Sequence, residues 1–281
     1  MSINMNPKEL TVIEHIEELR KRLFICAIFF VLALIGSFYV AKPIIKYIQH
    51  RGEAEQLTLN AFNVGDPLTV YLEVTFIVAL VITSPIILYQ LWAFITPGLH
   101  ETERNATLKY IPYSFLLFIA GLTFAYFILF PNIMNFMMDL SNDLAIQQTI
   151  GINEYFSFLF KLVVPFGVIF QLPVVMLFLA RLGILNPVLM VKFRKYSYFV
   201  LFILAVFLAP PDLISNILIA VPLFILYEIS IIIARVGYKK YLQAEELRLQ
   251  EEREATQKQQ VEELLAEQRR QIEEMKNQST N

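Results

Sequence analysis

The strongest constraint on this chain is where its charges are missing. Leu23–Val40 runs for 18 residues without Asp, Glu, Lys or Arg. As a helix it would rise about 27 Å, close to the ~30 Å hydrocarbon core of a bilayer. In lipid such a stretch must be helical, because an unpaired backbone N–H or C=O has no water to turn to. Uncharged runs recur at Val74–Ile95, Pro112–Met138, Leu162–Leu179 and Tyr196–Ala209, and a sixth, Leu213–Ala234, is broken only by Glu228. The reading is an all-α membrane protein with six transmembrane helices.

Composition agrees. Hydrophobic residues make up 57% of the 281 and charged ones 17%, against about 25% charged in an ordinary soluble domain. The charges are also segregated, since Tyr241–Asn281 alone carries ten acidic and six basic side chains. The net charge of −2 therefore averages unlike regions and says little about partners. The single cysteine, Cys26, lies in an apolar run and allows no intramolecular disulfide. The first apolar run starts only at Leu23, is long enough to span and lacks an Ala-x-Ala exit, so no cleavable signal peptide is expected.

In chain order, Thr11-Val-Ile-Glu14 forms a capping box that predicts a helix start. Val12, Ile16, Leu19 and Leu23 make one apolar stripe, with Glu14, Glu17, Glu18, Lys21 and Arg22 around it. This is an amphipathic helix at the membrane surface, running into span one. Ala41–Glu73 reads as short helices and loops outside the lipid. Span two, Val74–Ile95, contains Ser84-Pro85 and ends near Trp92 and the Pro97-Gly98 turn, after which Glu101, Glu103 and Arg104 are placed outside the bilayer. Span three, Pro112–Met138, is about 40 Å long and so must tilt, kink at Pro131 or protrude. A second wet segment, Asp139–Phe160, leads to span four, where Pro165 and Pro173 imply bending rather than a loop. Spans five (196–209) and six (213–234) form a short hairpin around Pro210-Pro211-Asp212, with Asp212 placed to cap the second helix. The expected division is 1–22 as N-terminal helix, 23–238 as membrane domain and 239–281 as charged tail. The tail's broken stripe of Val261, Leu264, Leu265, Ile272 and Met275 fits a solvated extension of span six better than a coiled coil.

Orientation follows from Lys and Arg. The segments sharing a side with both termini hold thirteen: Lys8, Arg20, Lys21, Arg22, Arg104, Lys109, Arg181, Lys192, Arg194, Lys195, Arg235, Lys239 and Lys240. The other side holds Lys42, Lys46, Arg51 and Lys161. Both termini are expected in the cytoplasm of a cell with a bacterial-type plasma membrane.

Catalytic readings fail on inspection. There is no P-loop and no Gly-x-Ser-x-Gly, and His100-Glu101-Thr102-Glu103-Arg104 begins like a zinc-protease motif but ends in Arg. No catalytic residue, metal site, cofactor or nucleic-acid partner is expected. A proton- or solute-coupled secondary transporter is the alternative class, but such proteins keep ionisable groups near the midplane. Here the span interiors hold only Glu228, seven residues before Arg235 and able to pair or snorkel. Gln171 is the bulky amide at depth, read either as an interhelical weld or as a dock for a partner's transmembrane helix. Carboxylates collect on two elements, Glu17 and Glu18 on the first helix and Glu101 and Glu103 after span two. The first pair also suits i, i+4 ion pairs with Lys21 and Arg22.

Several motifs carry a resemblance. Ile16-Glu17-Glu18-Leu19-Arg20-Lys21-Arg22-Leu23 resembles the N-terminal signature of TatC, the polytopic subunit of the twin-arginine protein translocase. So do Ser84–Leu99 with Glu103-Arg104, Gly121-x-x-Phe124-x-Tyr126-Phe-x-x-Phe130-Pro131, Phe166-Gly-Val-x-Phe170-x-Leu-Pro173 and Ala209-Pro-Pro-Asp212. The resemblance implies a bent, concave six-helix bundle acting as receptor and core subunit for signal peptides with two consecutive arginines. It implies export of folded proteins driven by the proton-motive force. Partners would be TatA-type subunits, alone or with a TatB-type subunit, in a multimeric complex in the lipid bilayer. The family's signal-binding glutamates fall on Glu18 and Glu103, with Phe94 and Leu19 as apolar contacts. Where many relatives place a glutamate this chain has Gln171, which cannot titrate but still suits docking of a TatA-type helix.

Overall fold

The computed structural model describes residues 12–50, 58–95 and 110–278. The capping residue Thr11, the Pro97-Gly98 turn, and Glu101, Glu103 and Arg104 lie outside them.

Helix α1 spans Val12–Gln49 and α2 spans Asp66–Ile95. No break separates the amphipathic start of α1 from the first apolar run, and the helix continues through Pro43 into what composition assigned to loop. The extension is held by packing, for Ala41 and Ile48 are buried in the main core. Helix α2 likewise starts eight residues before its uncharged run. The two helices are antiparallel, with contacts Arg22–Gln90, Phe30–Phe76 and Phe38–Tyr71 running in opposite chain order.

Pro85 does not interrupt α2. A proline lacks the N–H that would bond the carbonyl four residues back, here that of Val81. Ser84 Oγ donates to Val81 O at 2.7 Å instead, re-satisfying the freed group within the helix.

The third apolar run comprises α3 (Tyr110–Phe124), one π-helical turn over Ala125–Leu129, and α4 (Phe130–Asp143). The π turn ends two residues before Pro131, and its wider i→i+5 spacing lets the helix run on through the proline. The fourth comprises α5 (Ile152–Ile169) and α6 (Leu172–Arg181), interrupted at Phe170-Gln171. Pro165 stays within α5 and Pro173 takes the first turn of α6, where a missing N–H is harmless. Helix α4 runs on to Asp143 and α5 starts at Ile152, so most of the expected second wet segment is helical.

After α7 (Pro187–Lys192), α8 (Arg194–Leu208) and α9 (Leu213–Gln278) form the last hairpin. Asp212 caps α9 as its position suggested, its Oδ1 accepting from Ser215 N–H at 2.7 Å. Helix α9 carries the charged tail as one uninterrupted 66-residue rod. Glu228 corrects the sequence reading. It does not pair with Arg235 along its own helix; Arg194 Nη2 on α8 donates to its Oε2 at 2.6 Å, and Tyr198 OH to its Oε1. The hairpin brings Arg194 across, a neighbour that spacing along α9 cannot reveal.

Among the described residues five helices are long and apolar enough to cross a membrane, and α8, with 15 residues, is the shorter sixth apolar helix. One departure from all-α structure is a two-residue parallel pairing of β1 (Leu59–Asn60) with β2 (Ile150–Gly151), which ties the segment before α2 to the one before α5. The main core gathers Phe130, Phe156, Leu159, Leu162, Phe166 and Ile219, all under 3% exposed. Gly121 and Gly167 let α3 and α5 meet closely, since a Cβ on Gly121 would come within 2.6 Å of Phe166 O.

Candidate functional site

The candidate site begins where α1 starts and α2 ends. Glu18 lies one turn before Arg22 on α1, and Arg22 holds it as an i, i+4 ion pair. Arg22 Nε donates to Glu18 Oε1 at 3.1 Å, and Nη2 donates to the same oxygen. The third contact crosses helices, with Arg22 Nη1 donating to Gln90 Oε1 on α2 at 3.1 Å. Among the described residues no donor reaches Glu18 Oε2. Of the two ion pairs expected on this helix only Glu18–Arg22 is closed, and Glu17 and Lys21 are exposed.

Phe94 is one turn beyond Gln90 on the same stripe of α2 and half-buried. With α1 and α2 antiparallel, Glu18 and Phe94 come to one level, each a turn from the Arg22–Gln90 bond. Leu19, 49% exposed, follows Glu18 at the same level. The α1–α2 register thus sets three of the four residues assigned to signal binding at one level, and the fourth, Glu103, lies outside the described residues. Spacing alone left out Gln90. It stands inside the quoted Ser84–Leu99 motif, yet only the packing of α2 on α1 reveals its partner.

Gln171 occupies the break between α5 and α6. Its Nε2 donates to the backbone carbonyl of Ser114 on α3 at 2.9 Å, so the interhelical weld is formed. The same residue lines a cavity of about 260 Å³ with Leu88, Leu91, Val174, Phe178 and Leu182. Helix α2 therefore serves both places: Gln90 turns to Arg22, while Leu88 and Leu91, three apart, face the Gln171 cavity.

The sequence profile described as Sec-independent protein translocase protein (TatC) matches residues 14–222. The chain belongs to the TatC family. The TatCy protein of Bacillus subtilis strain 168 is 55% identical over 236 residues, which are 84% of this chain and 93% of that one. The TatC protein of Halalkalibacterium halodurans is 50% identical over 250 residues, 89% and 99% of the two chains. A crystal structure described as the twin arginine translocase receptor TatC superposes with a TM-score of 0.72 at 35% identity, covering 80% of this chain and 99% of that one. TatC membership and the apolar helices make the chain a multi-pass membrane protein of a translocase family, which is not enzymatic. The profile ends within α9, so the TatC match leaves out the charged rod.

Proposed function

We propose that this member of the TatC family is the receptor and core subunit of a twin-arginine translocase, and that Glu18 and Glu103 together receive the two arginines of a signal peptide. The observation that carries the reading is the Glu18 carboxylate, fixed on one oxygen and engaged on the other by no donor among the described residues, level with Phe94 at the end of α2. A carboxylate offers about four acceptor positions, so Arg22 does not saturate it. An arginine fork is always charged and planar and meets such an oxygen edge with direction, which a lysine ammonium does not. Phe94 and Leu19 supply apolar surface for the rest of the signal.

Related proposals complete the picture. Lys and Arg counts support both termini in the cytoplasm and a place in the cytoplasmic membrane, where the proton-motive force drives export. Residues 1–22 form the N-terminal segment, 23–238 the membrane domain and 239–281 the tail, since α9 leaves its apolar stretch at Arg235. The translocase family implies partner Tat subunits. A TatA-type helix, alone or with a TatB-type subunit, would dock where Gln171 lines the apolar cavity, while the signal-peptide site is on the other face of α2.

The test is the affinity of a twin-arginine signal peptide for the full chain in nanodiscs at fixed salt. Glu18→Ala and Glu103→Ala are each expected to weaken binding about tenfold, as loss of a charge-assisted contact of ~1.4 kcal/mol requires. Glu17→Ala and Glu101→Ala are the matched controls and should lose less. Equal losses in all four would leave only a diffuse acidic surface and remove the paired receptor.

A further inference from the structure

The Glu18–Arg22–Gln90 chain does more than staple two helices. Arg22 spends two N–H groups on a single oxygen of Glu18 and sends a third to Gln90 of the opposite helix. An ion pair that served only its own helix would have no use for the third bond. Held at both ends, Arg22 is kept beside the carboxylate without covering its second oxygen. Both partners are about one-quarter exposed or less, 21% for Arg22 and 25% for Glu18. Arg20 and Lys21, which precede Arg22 in sequence, are exposed and no ion pair ties them to Glu18.

The electrostatic consequence concerns selectivity. A lone carboxylate attracts any monocation, and at a distance an ammonium and a guanidinium gain nearly alike. A fixed arginine beside it cancels most of that long-range field and repels every incoming cation at short range. What survives is the directional acceptor at Glu18 Oε2. A guanidinium is planar, more weakly hydrated than an ammonium, and able to lie along that edge, so it loses less by approaching.

We propose that Arg22 is a specificity-determining residue of the receptor: by neutralising Glu18 while leaving Oε2 open, it makes the site reject cations that recognise charge alone and admit arginine. Gln90 is the positioning residue that keeps Arg22 from swinging over Oε2. This rests on the reading of Glu18 as a signal-binding group.

The experiment compares two peptides, the twin-arginine signal and the same signal with both arginines changed to lysine. Each is titrated against the full chain in zwitterionic nanodiscs, so that lipid charge does not attract either peptide. Arg22→Gln is expected to raise the dilysine affinity about fivefold while changing the twin-arginine affinity less, so the arginine-over-lysine ratio falls. Gln90→Leu keeps the charge of Arg22 but releases it, and is expected to lower twin-arginine affinity without raising that of dilysine. An unchanged ratio in Arg22→Gln, through equal gains or equal losses for the two peptides, overturns the proposal, because net charge or simple structural damage moves both alike. Glu18→Gln is measured beside them. Twin-arginine binding at wild-type strength in that variant refutes the receptor role of Glu18, and the assignment of Arg22 falls with it.

Discussion

Gln171 Nε2 and Ser114 O stand 2.9 Å apart, joining the break between α5 and α6 to the second turn of α3. The bond uses one of the two amide protons, and the side chain also lines the apolar cavity beside Leu88 and Leu91. Weld and dock are therefore compatible roles for one side chain.

Gln171→Leu should weaken association with a TatA-type helix, because an amide in hydrocarbon seeks partners and Leu offers none. Gln171→Glu should be tolerated. Co-purification of the partner with each variant is the measurement. Full recovery with the Leu variant would leave the weld as the residue's whole contribution.

Gly121 should accept no larger residue. A Cβ there would lie 2.6 Å from Phe166 O and under 3 Å from the Phe170 ring, and a backbone carbonyl cannot step aside cheaply. Gly121→Val is expected to cost ~1–3 kcal/mol, the range for overpacking a tight contact. Gly36→Val, in a membrane helix with open space around the missing Cβ, is the matched control. Thermal unfolding in detergent should separate the two, and equal melting temperatures would refute the close-approach argument.

The Arg194–Glu228 pair should contribute little by itself. The side chains are 40% and 34% exposed, so screening and side-chain entropy offset most of the attraction. A double-mutant cycle with Arg194→Ala and Glu228→Ala is expected to give a coupling of ~0.5–1 kcal/mol. Tyr198→Phe should lower stability as well, since Tyr198 donates to the same carboxylate. A coupling several times larger would mean that the pair is effectively desolvated by the bilayer.

The last hairpin should sit in thinned lipid. Helix α8 has 15 residues and rises about 22 Å, short of a ~30 Å core. Spin labels placed along Tyr196–Tyr227 would report depth. Lipid thinned there would lower the barrier to moving cargo, and full-thickness coverage of both helices would overturn the prediction.

The sequence by itself determined where the membrane helices are, because a long uncharged run has no other stable form in lipid. Local chemistry was legible too: Asp212 caps α9, and Glu18 pairs with Arg22 one turn on, both being contacts within a few residues. Tertiary structure decided what depends on neighbours far along the chain. Helix α1 extends past Pro43 because Ala41 and Ile48 find a core to pack in, and α2 starts at Asp66 rather than at its uncharged run. Glu228 meets Arg194 rather than Arg235 because the hairpin closes 34 residues of chain onto one level. Gln90 could be read as an ordinary polar residue at a helix end until α2 packed against α1 and set its amide on Arg22. Hydrophobicity is a property of a segment and can be read in place, whereas a polar side chain's partner belongs to the packing and is known only when the helices have met.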